Sequence, residues 1–438
     1  MPVSSFMGLQ TTLRGLLAQQ RALDVTGHNI TNAGTAGFSR QEAVMAAAPA
    51  LRVQAGAVQG GGGSDLGAGV DVLEYSRIRD TFLDAQFRGQ NTVLGDRSAT
   101  TSGLERAELA LAEPGDAGIA SLLGEFWNGW ADLANAPENQ AARQALVDQG
   151  RTLAEAIKTL DTQLVNVGQQ ALAEYADLNR EGGEIDAMAE EIARLNRAIN
   201  SSVESGTTPN DLLDRRDLLV DRLSALGTVS VAPVAGFPGS VIVTLGGEEL
   251  VNHTTSATFP ITFDPGPPGG RLGALQRIGQ TTVPDYREDL RVFAQQLVAD
   301  VNGAHPGFFG ATAANEAATI AVAATAATLA PGSSGAPGHN DQALAAAALR
   351  GGAADGRYAR LVTKIGGDLR NARREESNAQ VLTNSVDDRR QSVSGVSMDE
   401  EMANLVRFQR GYQASARAMN TASEILDILI NRTGRVGL

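Results

Sequence analysis

The two ends of the chain carry the same kind of pattern, apolar residues three, four or seven positions apart, and this constrains the fold most. At the start the pattern consists of Leu9, Leu13, Leu16, Leu23 and Ile30. At the end it consists of Leu405, Phe408, Tyr412, Met419, Leu426 and Leu429. Such spacings place one apolar stripe on one face of a helix. Because each stripe is narrow, neither helix buries enough surface to be stable alone.

The two stripes predict that the terminal helices pair side by side as a coiled coil, with the rest of the chain inserted between them. Two separate amphipathic helices packed on a globular core fit the same periodicity, so both interpretations stay open. Ser4 or Ser5 is a candidate cap of the first helix. The last helix is predicted to begin at Ser397, with acidic residues in its first turn, and to end at Gly434.

Between these ends the sequence predicts helices, then strands, then helices again. Residues 56–69 are glycine-rich and predict a flexible connector, followed by a strand through Val70, Val72 and Tyr75. The fold class is therefore mainly α with a small β insertion. Long helices are predicted over 76–112, 116–135, 138–200, 209–226, from Asp285 to about Asn302 and from Tyr358 to Arg390, with a short strand and loops over 311–356. The predicted domains are 1–55 with 391–438 (terminal coiled coil), 56–227 with 276–390 (mainly helical) and 228–275 (small β domain).

Composition excludes several classes of partner. The net charge of −14 disfavours nucleic acid, because binding to phosphates relies on basic residues. The sequence lacks a run of 18 apolar residues, and its first ten residues resemble no cleaved signal peptide, so we expect neither a membrane partner nor a cleaved leader. The chain has no cysteine, which suits a protein that crosses a membrane unfolded.

The sequence contains no arrangement of residues that predicts catalysis, a metal site or a cofactor. The histidines at 28, 253, 305 and 339 stand singly, without a second ligand at helical spacing. A serine flanked by glycines, as in a nucleophile elbow, is also absent. We therefore predict that the chain is not an enzyme.

Two clusters need a choice between a functional and a structural interpretation. Carboxylates at 211, 214, 217 and 221 alternate with arginines at 215, 216 and 222, which is typical of a solvated helix face and less so of a carboxylate pair in a hydrolase. Phe126, Trp127 and Trp130 share a face with leucines. They predict a helix core in preference to a carbohydrate platform.

The stretch from Asn29 to Gln41, NITNAGTAGFSRQ, closely resembles the N-terminal motif of flagellar rod, hook and hook-associated proteins. Its characteristic residues are Asn29, Asn32, Gly37 and Phe38, and Gly37 permits a positive φ at the turn. Residues 392–416 resemble the closing helix of the same family. Motifs at 113–116, 132–134, 141–144, 211–214 and 335–340 are similar to those of its hook-associated members.

This resemblance implies terminal helices facing a central channel, a helical domain outside them and a β domain, reduced here, on the exterior. It implies a secreted subunit of the extracellular flagellum at the hook–filament junction, exported by the type III route with an uncleaved N-terminal signal. The partners implied are further copies in a ring or helical layer, hook protein, a second junction protein beside the filament, and an export chaperone at the C-terminal helix.

We expect the stripes of the two ends to pack on each other and to be poorly ordered in a lone molecule, since one thin stripe does not offset the entropy of ordering. Neighbouring copies would then bury the remaining faces. Two alternatives stay open. A hook or distal-rod subunit would share both ends but should be β-dominated over 76–226, and a flagellum-associated cell-wall hydrolase would need a catalytic acid in a cleft.

Overall fold

The computed structural model describes residues 6–53, 64–115, 118–264, 266–334 and 336–431. Within these residues the chain is mainly helical with a small β region, which confirms the predicted fold class. Several predictions concern positions outside the described residues: the cap at Ser4 or Ser5, the helix end at Gly434, and the motif residues Asp116 and Gly335.

The helices of the described chain vary from one turn to more than ten turns. They are α1 (Met7–Asn32), α2 (Thr81–Leu111), α3 (Ile119–Asn135), α4 (Gln140–Leu178), α5 (Glu184–Glu204), α6 (Asn210–Leu226), α7 (Gly270–Arg277), α8 (Val283–Ala304), α9 (Glu316–Thr319), α10 (Asp341–Ala347), α11 (Ala353–Ser394) and α12 (Met398–Asn431). A π-helical segment, Ile278–Thr282, joins α7 to α8.

The strands of the described residues are shorter and form four antiparallel sheets. They are β1 (Gln41–Ala47), β2 (Leu51–Val53), β3 (Ser64–Leu66), β4 (Val70–Arg77), β5 (Val229–Pro233), β6 (Val241–Leu245), β7 (Glu248–Asn252), β8 (Thr255–Ser256), β9 (Phe309–Gly310) and β10 (Ala321–Val322). Strands β5 to β8 form one four-stranded meander in sequence order, and the other strands pair as β1–β4, β2–β3 and β9–β10.

The terminal helices α1 and α12 pack side by side, as the two stripes predict. Asn29 lies against Glu401, whereas Gly15 lies against Ser415. Higher numbers on α1 therefore face lower numbers on α12, so the two helices run antiparallel. Their connected end, near Asn29 and Glu401, adjoins the rest of the molecule.

A β-hairpin, β1 with β4, packs on α1 as well. The strand through Val70, Val72 and Tyr75 is confirmed, whereas β1 was not predicted, because its sequence QEAVMAA alternates only weakly. Part of the predicted connector, Ser64–Leu66, is a strand that pairs with β2, so that part of the prediction was wrong. Residues 54–63 of the connector lie outside the described residues.

The helical body has one continuous core. Phe126, Trp127 and Trp130 of α3 are at most 1% exposed and pack among Phe308 and Phe309, which confirms the predicted helix core. The predicted helix over 138–200 is interrupted, because Gly182, at a φ of 69°, turns the chain between α4 and α5. Helix α7 begins inside the range assigned to the β domain, and the sheet ends at Ser256. The division into three domains stays a prediction.

The crossing of α2 over α6 is close enough to give a sharp test of the packing. A Cβ at Gly95 would lie 2.0 Å from the carbonyl oxygen of Ala225, whereas a Cβ at Gly89, two turns earlier on α2, would meet nothing within 4 Å. We expect Gly95→Ala to destabilise the protein by about 1–3 kcal/mol, since the clash is with backbone. Gly89→Ala should stabilise it by up to about 1 kcal/mol through helix propensity.

Urea denaturation of the two variants, followed by far-ultraviolet circular dichroism, compares their free energies of unfolding. Equal stabilities for both variants would contradict the close crossing of α2 and α6.

Candidate assembly surface and charged junction

The predicted stripes meet each other along α1 and α12, but each is only partly covered. Leu9, Leu16, Leu23 and Ile30 of α1 are half-buried, as are Leu405, Phe408, Met419 and Leu426 of α12. Leu13 and Tyr412 are 43% and 36% exposed, so neither is buried by the partner helix. The side chain of Leu429 lies outside the described residues. The pairing of individual residues across this surface stays a prediction.

The fully buried face of α1 consists of small and polar residues, which the apolar stripe did not predict. Ala18, Ala22, Thr26 and Asn29 are at most 2% exposed, and α1 contacts α12, β1 and β4. Three of them, Ala22, Thr26 and Asn29, lie in the half of α1 nearest the body, and Ala18 lies near the middle of the helix. Among the described side chains of α12, only that of Glu401, at its start, is buried. The terminal pair is therefore tightly packed where it joins the body and loosely packed toward its far end.

The terminal pair leaves large apolar side chains exposed. On α1 these include Leu13 and Leu17, and on α12 they are Met398, Met402, Val406, Tyr412, Ile425, Ile428 and Ile430, all 36–70% exposed. Large apolar side chains exposed in such number along one pair of helices indicate an interaction site. We call this set the open terminal surface.

The motif residue Asn29 ties the two chain ends together. Its side-chain amide donates to the backbone oxygen of Gln41 at 2.9 Å and to the Glu401 carboxylate at 3.1 Å, while its Oδ1 accepts from the Gln41 backbone N–H at 2.9 Å. The other Glu401 oxygen accepts from Arg40 Nε at 2.8 Å. The sequence identified Asn29 but not the burial of Glu401, which was assigned only to the first turn of a helix.

The other motif residues shape the turn after α1. Gly37 has a φ of 79°, which favours glycine, and a Cβ there would make a tight contact at 3.0 Å from the Leu218 Cβ. The Asn32 side chain donates to the His28 backbone oxygen at 3.0 Å, and the rings of Phe38 and His28 meet edge to face at 5.3 Å. The motif therefore positions the end of α1 against α6.

Three of the four carboxylates of α6, Asp214, Asp217 and Asp221, face inward, so the predicted solvated helix face was wrong for them, whereas Asp211 is exposed as predicted. Asp214 and Asp221 are at most 8% exposed, because β4, α2 and α11 bring arginines onto this face. Arg77 binds Asp214 at 2.7 Å and Asp217 at 3.0 Å. Further pairs of this charged junction include Arg79 with Asp84 (2.6 Å) and Asp217 (3.3 Å), Arg88 with Asp221 (2.7 Å), and Arg390 with Asp221.

A buried arginine of α6 holds the loop between β5 and β6. Arg216, 7% exposed, donates to the side-chain oxygen of Asn196 at 3.0 Å and to the backbone oxygen of Gly239 at 2.6 Å. Burial lowers the pKa of Arg216, and the positive charges of Arg77 and Arg88 add to this, although Asp217 opposes them. Arg216 thus connects the β meander to the same helix that carries the charged junction.

The charged junction predicts a specific pH dependence of stability. Burial alone would raise the pKa of Asp217, but Arg79 and Arg77 outweigh it and hold that pKa below its usual value. Because the pKa is lower in the folded state, Asp217 contributes stability above its unfolded pKa of about 3.9, and this contribution is lost as the pH falls through the folded value. The difference in unfolding free energy between wild type and Asp217→Asn should therefore shrink as the pH falls from neutral to about 3. A difference independent of pH would contradict this account.

The charged groups of the described residues fit structural roles. No three histidine, aspartate or glutamate side chains of this part of the chain come together as a metal site, and none of its helices is long and apolar enough to span a bilayer. The histidines contact neighbours of several kinds: His28 pairs with Asp211 at 3.3 Å, His253 stacks on Phe237, His305 packs on Trp130, and His339 contacts Ser334. Burial lowers the pKa of His305.

Three family models match separate parts of the chain. Residues 104–268 match the flagellar hook-associated protein FlgK helical domain. Residues 9–38 match the flagella basal body rod protein, and residues 389–432 match the C-terminal part of the basal body rod FlgEFG proteins. The open terminal surface therefore lies within segments similar to rod proteins, and the charged junction connects them to a segment similar to a hook-associated protein.

Two relatives align with the chain almost from end to end. Flagellar hook-associated protein 1 of Bacillus subtilis (strain 168) is 29% identical, with 98% of this chain and 99% of the relative covered. Flagellar hook-associated protein 1 of Escherichia coli (strain K12) is 25% identical, with 97% and 99% covered. The solved structure of the flagellar hook junction protein FlgK from Burkholderia pseudomallei is 25% identical, with a TM-score of 0.44 over 52% of this chain and 44% of that one.

Proposed function

Because the chain belongs to the flagellar hook-associated protein 1 family, we propose that it is a structural subunit of the bacterial flagellum at the junction between hook and filament. The open terminal surface is the observation that carries the mechanism. A lone chain leaves large apolar side chains such as Leu17 and Ile425 about half exposed, at 42% and 53%. Burying them against adjacent copies and against the hook tip would supply the free energy of assembly.

In this mechanism the subunit polymerises at the hook tip in a ring or helical layer, through heterologous contacts of its terminal helices. The far ends of α1 and α12 order fully only when neighbours cover them, since Ala18 is the only buried side chain among the described ones there. The near ends are held by Asn29, Arg40 and Glu401 in every copy. The terminal pair is thereby fixed at the end nearest the body, and its far end adjusts to the neighbouring copies.

The charged junction would give the subunit its role as an adaptor between two tubes. Arg77 and Arg79 of the hairpin segment, Arg88 of α2 and Arg390 of α11 all bind carboxylates of α6 or α2. Buried pairs with fixed geometry tolerate few alternative arrangements, because any misplacement leaves a charge unpaired. Force applied to the terminal pair would therefore be transmitted to the helical body without rearrangement of these ion pairs.

The proposed partners are further copies of the chain, hook protein and a second junction protein next to the filament, with a chaperone at the C-terminal helix before export. Residues on α12 such as Met402 and Val406 are exposed in the lone chain and would suit that chaperone. The extracellular flagellum is the proposed location. We propose no catalytic role, cofactor, nucleic-acid partner or membrane partner, and the uncleaved export signal stays a prediction.

The alternatives differ in observable ways. A hook or distal-rod subunit should be β-dominated over 76–226, whereas this region consists of long helices, α2 to α6. A cell-wall hydrolase would need a carboxylic acid with a raised pKa in a cleft, whereas the carboxylates of α6 are bound by arginines. A peptidoglycan digestion assay with the purified chain should be negative.

The experiment that tests the proposal is binding of the purified full-length chain to the distal ends of isolated hooks, seen by gold labelling in electron microscopy. The full chain should label hook tips, and a chain ending before Leu426 should keep its folded body but not label them. Labelling along the hook sides, or equal tip labelling by the truncated chain, would overturn the proposal. Tyr412→Asp, at a border position 36% exposed, should weaken tip labelling without unfolding the body.

A further inference from the structure

The hairpin on α1 presents one leucine to solvent in an unusual way. The register of β1 with β4 shifts between Val44 and Met45: Val44 pairs with Glu74, but Met45 pairs with Val72. Leu73 is therefore the extra residue of a β-bulge and is 68% exposed. Bulges re-aim a side chain and interrupt the regular pairing. Acidic residues lie near Leu73. Glu74 and Glu42 are both exposed and lie on the same face of the hairpin.

Helix α1 presents a complementary surface on a face that neither the hairpin nor α12 covers. Leu13 and Leu17, one turn apart, are 43% and 42% exposed. Arginines lie beside them. The Nη1 of Arg14 lies 3.7 Å from the Oδ2 of Asp71, and Arg21 is exposed. An apolar pair with basic neighbours is complementary in charge to an apolar side chain with acidic neighbours.

The two surfaces lie at the same level along the terminal pair. Gly69, just before β4, lies against the Thr11 backbone, and Arg14 reaches both the Ala68 backbone oxygen at 3.4 Å and Asp71. Leu73 lies two residues beyond Asp71 on β4. It therefore lies at about the same position along the terminal pair as Leu17. Within one copy the two leucines stay exposed on different faces, so a neighbour displaced sideways would bring them together.

We propose that in the assembled layer the bulged Leu73 of one copy packs on Leu13 and Leu17 of the next copy, with Glu74 facing Arg21. This contact rests on the proposed function, and it assigns to the hairpin a share of the interface that the terminal helices do not supply. It is heterologous, so it repeats from copy to copy around the layer.

The chain has no cysteine, which allows a direct test with single-cysteine copies. Cells lacking the native protein would produce Leu73→Cys copies together with Leu17→Cys copies, and isolated flagella would be treated with a short bis-maleimide. A cross-linked dimer should form only when both kinds of copy are present. Leu109→Cys, 82% exposed on α2, replaces Leu73→Cys in the matched control and should give no dimer. Equal dimer formation in both pairs would overturn the proposal.

A charge exchange tests the same contact without cysteines. Glu74→Arg should reduce occupancy of hook ends by about two- to fivefold, the range typical of an exposed ion pair, and Arg21→Glu in the same chain should restore it. Failure of the double variant to recover, with both single variants folded, would overturn the contact. The unmodified chain at hook ends is scored separately: if it does not reach them, the proposed function fails, whereas its presence there without the cross-link removes only this inference.

Discussion

Replacing Glu401 with alanine is expected to detach the start of α12 from α1 and to abolish binding to hook ends. The carboxylate is 2% exposed and accepts from Arg40 Nε at 2.8 Å and from the Asn29 amide at 3.1 Å. Removing one partner of a buried ion pair costs about 3–5 kcal/mol, because the remaining charge keeps its desolvation penalty. Limited proteolysis of the α11–α12 connection, together with labelling of hook tips, measures the effect.

The neighbouring residue provides a matched control. Glu400 also faces Arg40, at 3.4 Å, but its side chain is 65% exposed. An exposed ion pair contributes about 0–1 kcal/mol, so Glu400→Ala should leave proteolysis and hook-tip labelling nearly unchanged. Similar losses in the two variants would show that burial of Glu401 does not hold the chain ends together.

Replacing Asp221 with alanine is expected to be the most destabilising change in the charged junction. Its carboxylate accepts from Arg88 Nε at 2.7 Å and from Arg390, whose guanidinium also lies 3.9 Å from the centre of the Phe87 ring. The variant would leave two arginines of low exposure without this carboxylate, at a cost of about 3–5 kcal/mol. Urea denaturation followed by circular dichroism measures the change in free energy of unfolding.

Asp211 is the control for Asp221 on the same helix. It belongs to the same acidic series but is 69% exposed, with His28 at 3.3 Å. Asp211→Ala should change stability by less than about 1 kcal/mol. Comparable destabilisation by both substitutions would mean that the burial of the α6 carboxylates has been wrongly assigned.

The terminal pair was predictable from sequence because long apolar repeats depend only on helix geometry. Leu9 to Ile30 and Leu405 to Leu426 needed no tertiary information. The break at Gly182 was less visible, since one turn inside a long periodic segment hardly changes its periodicity. Strand β1 was missed because alanine alternates weakly with its neighbours.

The charged junction was not predictable by the same means. Aspartates and arginines spaced by three and four look the same whether they face water or other arginines. The partners of Asp214 and Asp221 come from Arg77, Arg88 and Arg390, which are more than one hundred residues away in the chain. The motif residues Asn29 and Gly37 were recognised from sequence, but the reasons for them, contacts with Glu401 and Leu218, appear only in the folded chain.

The central claim is that the exposed apolar side chains at the far ends of α1 and α12 are buried only by neighbouring copies. Amide hydrogen exchange on the free chain and on the chain assembled at hook tips tests it most directly. The account predicts rapid exchange over Met7 to Gln19 and Gly411 to Asn431 in the free chain, strong protection there after assembly, and protection of α4 in both states. Protection of these terminal segments in the free chain equal to their protection after assembly would contradict it.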